Sequence, residues 1–210
     1  MTMGDRPMIH RFTLSDEESR AEFQRVSKDL LEHNAAQSVN YWAGSPFPTM
    51  LIWAGRIYDF LRVMEEIVGF YPARRQSYLV GYRSGADGAA VNESLAKGKQ
   101  QREAQVQLLS RGGAVLAGAG WGRATIEYDE AGKKVRWEFR EGTAIGLAAR
   151  LEGLRTKPAC PFIAGVVAGW TNRALGTELE FEETNCVARG DDRCVFESLE
   201  FLRPKKEFVE

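Results

Sequence analysis

Cysteine and histidine, two of the side chains that most often bind transition metals, are scarce in this sequence. Its 210 residues include three cysteines and two histidines, and the first 159 residues contain no cysteine. An odd number of cysteines fits a disulfide framework poorly. The histidines, His10 and His33, lie in the N-terminal region, where we expect them on the surface. The clustered C-terminal cysteines are therefore the first candidates for metal chemistry.

Long apolar runs and an excess of charge of one sign are also missing. No run approaches the roughly 20 apolar residues that a membrane-spanning helix needs, and the N-terminus lacks the apolar core of a signal peptide. The formal net charge is −1 with the signs interspersed, which gives no sign of a nucleic-acid-binding face. We expect a cytoplasmic protein with reduced thiols and without direct contact to nucleic acid or membrane.

Signatures of nucleotide binding and catalysis are missing as well. No GxGxxG pattern follows a predicted strand, and the glycine-rich stretch GAGWG precedes a strand instead of a helix. No histidine follows His33 as a candidate catalytic base. We predict that the chain is not an enzyme.

The order of apolar patterns predicts an α+β fold. Helical spacing and strand alternation are assigned in chain order. Four helices (15–34, 56–68, 73–96 and 98–110, the last polar and on the surface) precede a hairpin over 124–139, two helices over 142–154 and 158–176, and a second hairpin over 177–200. This order is typical of an antiparallel sheet built from two hairpins and packed by helices.

The N-terminal segment, residues 1–44, is predicted to be a helical dimerisation arm. Ser15 and Glu18 form a capping box at the start of its helix. The alternative is a helix packed on its own domain. Residues 45–200 are predicted as one domain and residues 201–210 as a tail or the start of a linker.

Small residues four positions apart mark two of the predicted helices. Gly81, Gly85 and Ala89 share one helix face, and Gly165 and Gly169 are also four apart. A face without large side chains lets another backbone approach closely.

The stretch ETNCVARGDDRCVF contains two of the three cysteines. Glu183 follows Leu179 and Phe181 on one face of a predicted strand. An inward carboxylate costs several kcal/mol unless it is paired or bound to a cation. Cys186 lies near the end of this strand and Cys194 opens the next, so a hairpin brings their sulfurs to the same end.

Cys160 precedes a helix and is flanked by two prolines, where its side chain can be aimed at the hairpin. Three thiolates and one carboxylate supply the four ligands of a structural zinc, with no position left for water. Arg189 and Arg193 are candidate partners of these ligands. The alternatives are buried cysteines without metal and a redox pair of Cys186 and Cys194.

The run EETNCVARGDDRCVFE, preceded by GWTNRALG and PACPFIAG, resembles the C-terminal signature of the 4-vinyl reductase domain family. Upstream, YLVGYRSGADGA is similar to the glycine-bearing helix of that family, and the resemblance covers roughly residues 45–200. Cys160, Glu183, Cys186 and Cys194 resemble the zinc ligands of the aromatic-sensing members in identity and spacing. The resemblance thus implies a structural zinc.

Within that family, the chain most resembles the N-terminal sensor domains of sigma-54-dependent activators that detect phenols and alkylbenzenes. This implies that residues 45–200 bind a ligand in an apolar pocket near the zinc hairpin and that the N-terminal segment forms a homodimer. It also implies an AAA+ output domain in a longer parent protein. The predicted function is a zinc-stabilised sensor domain that binds a small apolar or aromatic molecule and signals to transcriptional activation.

Trp137 resembles the tryptophan that contacts the phenol hydroxyl in phenol sensors, whereas the histidine that accompanies it there has no counterpart after His33. Six aromatic residues are the candidates for the pocket, although each alone also fits a core position: Trp121, Tyr128, Trp137, Phe139, Phe162 and Trp170.

Two other functions are alternatives. The family name suggests a carrier for tetrapyrroles or other hydrophobic molecules, or a reductase-associated protein. A tethering-type assembly module is the second, because vesicle-tethering subunits share a similar fold. An exposed apolar patch over an interior without a pocket favours assembly.

Overall fold

A computed structural model describes residues 8–25, 31–34, 39–42, 48–49, 54–93, 98–131 and 133–199. This part of the chain has the predicted α+β fold. Its helices are α1 (Asp16–Arg25), α2 (Ala54–Val68), α3 (Phe70–Asn92), α4 (Gln101–Gly118), α5 (Ala144–Leu151) and α6 (Pro161–Leu175). The main antiparallel sheet contains β1 (Ile9–Thr13), β5 (Ala124–Asp129), β6 (Lys134–Phe139), β7 (Glu180–Asn185) and β8 (Cys194–Leu199). A smaller sheet contains β2 (Leu31–Asn34), β3 (Val39–Trp42) and β4 (Pro48–Thr49).

The main sheet has the order β1-β5-β6-β8-β7. The two predicted hairpins are β5–β6 and β7–β8, and they join through the pairing of β6 with β8. Strand β1 was not predicted; it pairs antiparallel with β5 and places Phe12 opposite Ile126. This strand lies within the predicted arm 1–44, and the division of the chain into 1–44, 45–200 and 201–210 stays a prediction. Residues 201–210 lie outside the described part.

The first helix is shorter than predicted. Its capping box is present: the Glu18 N–H donates to Ser15 Oγ (3.2 Å), and the Ser15 N–H donates to Glu18 Oε2 (2.7 Å). The helix prediction over 15–34 is wrong for Leu31–Asn34, which form strand β2, and 26–30 lie outside the described residues. Helix α1 buries no side chain, and Phe23 is 58% exposed. Its apolar spacing therefore does not reflect a packed face.

Helix α4 is longer and more buried than predicted. The sequence predicted a polar surface helix over 98–110, but α4 runs to Gly118 and buries Leu108 and Leu109. Small residues in its second half let the helix lie directly against the sheet and α6. The polar residues that suggested a surface helix belong to its first half only.

The small-residue faces pack helices α3 and α6 together at backbone distance, as predicted. A Cβ atom added at Gly81 or Gly85 would lie 2.0 Å from the carbonyl oxygen of Phe162 or Val166. Reciprocally, a Cβ at Gly165 would lie 2.0 Å from the carbonyl oxygen of Tyr78. Only glycine permits this contact. Among the described residues, no helix is long and apolar enough to cross a membrane.

Candidate metal centre

Cys160, Glu183, Cys186 and Cys194 lie together between the β7–β8 hairpin and the start of α6. One ligand atom from each side chain can be chosen so that all four lie within 4.8 Å of one another. The three cysteines are fully buried and Glu183 is 6% exposed. The structure thus brings together the four residues that the sequence singled out.

Two elements position the first pair of side chains. Cys160 directly precedes α6, which begins at Pro161, and its backbone N–H donates to Glu183 Oε2 at 2.8 Å. Glu183 follows the buried Phe181 on the inward face of β7 and lies opposite Phe196 of β8. A β-bulge between Glu183 and Asn185 then shifts the strand register before Cys186.

The hairpin loop directs backbone donors at the other two sulfurs. Cys186 Sγ accepts from the Ala159 N–H at 3.3 Å, and Cys194 Sγ accepts from the Val187 N–H at 3.5 Å. The Cys186 N–H in turn donates to the Asp191 carboxylate at 2.7 Å. Backbone N–H groups aimed at sulfur favour the thiolate, which is the form that binds metal.

One oxygen of this site has no partner. Glu183 Oε1 is buried and makes no hydrogen bond to any described residue. An unpaired carboxylate oxygen in a buried site costs several kcal/mol, and a cation between the four side chains would remove that cost. The donor set and its unpaired oxygen therefore fit a bound metal ion.

The ionisation of the cluster supports the same conclusion. Burial raises the pKa of Glu183 and the pKa of the Cys160 thiol well above their usual values. Hydrogen bonds from the thiols of Cys160 and Cys186 lower the pKa of Cys194 to about 4. Without a cation, negative charge is thus favoured on Cys194 and opposed on Glu183 and Cys160. Binding of a metal ion is what allows all four groups to be deprotonated.

The two arginines of the hairpin loop lie next to the site but are directed elsewhere. Arg189 donates to the Thr184 carbonyl and to Asp191, both at 2.8 Å. It therefore supports Cys186 through Asp191. Arg193 pairs with Asp192 and with Glu138 of β6 (2.8 Å), which ties the loop to the neighbouring strand.

Thr143 belongs to the surroundings of the site and was missed from the sequence. This fully buried residue is the N-cap of α5: its Oγ1 accepts from the Gly146 N–H at 3.0 Å and lies 3.1 Å from Cys160 Sγ. A Cβ added at Gly146 would lie 3.1 Å from Cys194 Sγ. A threonine before an apolar helix is a recognisable cap signal, but its contact with Cys160 depends on the tertiary fold.

The aromatic residues predicted for a ligand pocket lie in several places. Trp137 donates to Thr171 Oγ1 (3.1 Å) and Trp170 donates to the Leu108 carbonyl (2.7 Å). Both indoles lie against Gly112 of α4, where an added Cβ would come within 2.8 Å of each ring. These two side chains fill the space between α4, α6 and β6.

The other four aromatic candidates form contacts outside that pair. The ring centroids of Trp121 and Phe162 are 5.5 Å apart, and Phe139 packs edge-on against Phe196 at 5.7 Å. Tyr128 stacks on His10 across β1 and β5 at 6.0 Å. A role of these residues in ligand binding stays a prediction.

The two histidines differ from what the sequence predicted or fall outside the description. His10 is not a free surface residue: its side chain is 15% exposed, and its Nε2 lies 2.6 Å from Glu130 Oε1. Its position in the unpredicted strand β1 accounts for the burial. The His33 side chain lies outside the described residues.

Comparisons with known proteins agree with the resemblance seen in the sequence. The family model of the 4-vinyl reductase domain matches residues 147–199, a range that includes the whole cluster. The phenol regulator MopR of Acinetobacter guillouiae is 26% identical over 153 residues, which cover 69% of this chain and 26% of that protein. The chain thus spans about a quarter of the length of this relative.

Solved structures show the same fold. The phenol-responsive sensory domain of the transcription activator PoxR, crystallised with phenol, matches with a TM-score of 0.71 at 17% identity, over 88% of this chain and 90% of that chain. A vinyl-4-reductase family protein from Methanocaldococcus jannaschii matches with a TM-score of 0.39 at 18% identity, over 75% of this chain and 99% of that chain.

Proposed function

We propose that this chain is a zinc-stabilised sensor domain that binds a small apolar or aromatic molecule and signals to an attached or partner output module, in transcriptional activation. The observation that carries the proposal is the buried cluster of three cysteines and Glu183, within a region that matches the 4-vinyl reductase domain. The regulators to which the chain is similar support sensing over catalysis.

The chemistry of the cluster favours zinc over other cations. Soft thiolates select zinc, whereas calcium and magnesium prefer oxygen ligands. A tetrahedral zinc with three sulfurs places them about 3.8 Å apart, and the four donor atoms here lie within 4.8 Å of one another. Four protein ligands leave no position for water or substrate, so we assign the metal a structural role. It would fasten the β7–β8 hairpin to the start of α6.

Signalling would work by a population shift. A ligand that binds one arrangement of the domain more tightly biases a homodimer, or an attached AAA+ module, toward that arrangement. The dimer, the output module and a cytoplasmic location belong to this proposal. Carriers of tetrapyrroles or other hydrophobic molecules and assembly modules stay alternatives.

The function is tested by ligand binding to the zinc-loaded protein. Thermal unfolding is followed with a panel of small molecules, including benzene, toluene, phenol and indole, and with glycerol as a polar control. A ligand at 100 times its Kd adds about 2.7 kcal/mol to the free energy of unfolding, so a binder raises the Tm measurably and glycerol does not. A folded, zinc-loaded protein that binds none of the apolar molecules would overturn the sensor function.

A further inference from the structure

A cleft of about 440 Å³ lies apart from the metal cluster, on the side of α4 that faces strands β1 and β5. Its volume is within the range of about 300 to 1,000 Å³ that is usual for small-molecule sites. Its walls are mostly apolar and include Phe12, Leu14, Ala114, Ala124 and Ile126.

Two adjacent glycines of α4 face different surroundings. Gly112 lies against the indoles of Trp137 and Trp170, which fill the space on that side. Gly113 lines the cleft, where an added Cβ would lie 3.2 Å from Ile126 Cδ1. The helix therefore separates a filled aromatic interior from an apolar cleft that is open to a ligand.

The cleft wall also contains an unpaired hydrogen-bond acceptor. The Gln107 side chain lines the cleft, and its Oε1 is buried without a hydrogen bond to any described residue. The nearby Ser110 hydroxyl donates to the Gln107 backbone carbonyl (2.9 Å) and not to this amide oxygen. A small rotation of the amide would present Oε1 to a donor placed in the cleft. Apolar walls with one unpaired acceptor suit an apolar molecule that carries one donor.

The N-terminal segment closes one side of the cleft. Strand β1 supplies Phe12, and Arg111 of α4 holds α1 through its pair with Glu22 at 2.6 Å. Both side chains of this pair are largely buried, with 16% and 11% exposed. A molecule in the cleft therefore lies against the segment that the sequence predicts as a dimerisation arm.

We propose that this cleft is a small-molecule site for an apolar body of about one ring with a single hydroxyl or amine donor, and that Gln107 accepts the hydrogen bond. The inference rests on the proposed sensor function and adds a location and a ligand class to it. It differs from the aromatic interior predicted from the sequence, because the Trp137 and Trp170 indoles pack on the other side of α4.

Calorimetric titration of the zinc-loaded protein with phenol and toluene tests the inference, since the two probes are similar in size and only phenol has a donor. Gln107→Leu should weaken phenol binding about fivefold to tenfold and leave toluene binding unchanged. Ala114→Phe fills the cleft and should abolish binding of both probes. Gln105→Leu and Gln101→Phe, on the same helix outside the cleft, should bind as the wild type does, and circular dichroism confirms that each variant is folded.

Two results would overturn the inference, and they differ in what they mean for the sensor function. Phenol binding that Gln107→Leu and Ala114→Phe leave unchanged would place the ligand elsewhere and leave the sensor function intact. A wild type that binds neither probe, but binds another apolar molecule of the panel, would also remove this site and not the sensor function. Failure of the whole panel would remove both.

Discussion

Glu183 shows how far a single position can be interpreted from the sequence. Strand alternation after Leu179 and Phe181 predicted an inward carboxylate, and the side chain is buried as expected. The spacing of Cys186 and Cys194 around a turn predicted their proximity to it. Neither pattern specified the β-bulge after Glu183 or the N–H donors from Ala159 and Val187, because both depend on how α6 packs against the hairpin.

Thr143 connects helix α5 to the cysteine cluster, and its substitution should weaken the fold. Thr143→Val preserves the shape but removes the oxygen that caps the Gly146 N–H. We expect a loss of about 1 kcal/mol in the free energy of unfolding, measured by urea denaturation of the metal-loaded protein. Thr143→Ser keeps the hydroxyl and should stay within about 0.5 kcal/mol of wild type. Equal losses in the two variants would show that the hydroxyl is not what matters.

Glu138 should make stability depend on pH in the acid range. Burial raises the pKa of this carboxyl, but the hydrogen bonds from Arg136 and Arg193 outweigh burial, so the pKa lies below its ordinary value of 4.5. A group with a lowered folded-state pKa stabilises the fold above its unfolded pKa, and this contribution is lost as the pH falls through the folded pKa. Glu138→Gln should therefore cost about 1 kcal/mol at pH 7, with the difference shrinking below about pH 4.5.

Glu197→Gln is the matched control for that substitution. Glu197 lies opposite Arg136 on β8 and pairs with it at 3.3 Å, but its side chain is 46% exposed. Exposed pairs contribute about 0 to 1 kcal/mol, so this variant should leave the pH profile of stability close to that of wild type. A profile for Glu138→Gln that runs parallel to wild type down to pH 3 would contradict the assignment.

The packing of helix α3 against α6 depends on glycine and should not tolerate one added methyl group. Gly85→Ala would place a Cβ 2.0 Å from the Val166 carbonyl oxygen, so the helices must separate. We expect a loss of about 3 kcal/mol or more in the free energy of unfolding, measured by thermal or urea unfolding. At Gly55 of α2, an added Cβ meets only Ala148 Cβ at 4.0 Å. Gly55→Ala should therefore be neutral or stabilise by up to about 1 kcal/mol.

Elements with a strong periodic pattern or a recognisable cap were predictable, and elements that depend on distant partners were not. The two hairpins and the glycine faces of α3 and α6 followed from alternation and four-residue spacing. Strand β1 was missed because its five residues become a strand only by pairing with β5, more than a hundred positions away. Helix α1 was extended too far because Phe23 and the apolar residues after it were interpreted as a packed face.

Considered as a whole molecule, the described chain is fastened at two separate places. The cysteine cluster joins the β7–β8 hairpin to the start of α6, and the Glu22–Arg111 pair joins α1 to α4. The first could be predicted because its residue types are rare and their spacing is specific. The second involves common charged residues, which carry no comparable signal in a sequence.

The account as a whole depends on whether the cluster of three cysteines and Glu183 binds zinc. The most direct measurement is the metal content of the purified protein by elemental analysis, together with Glu183→Gln and with Glu182→Gln, whose side chain is exposed on the opposite face of the same strand. We predict about one zinc per chain in the wild type and in Glu182→Gln, and a clear loss of zinc and of stability in Glu183→Gln. A wild type that is well folded and free of metal would contradict the account.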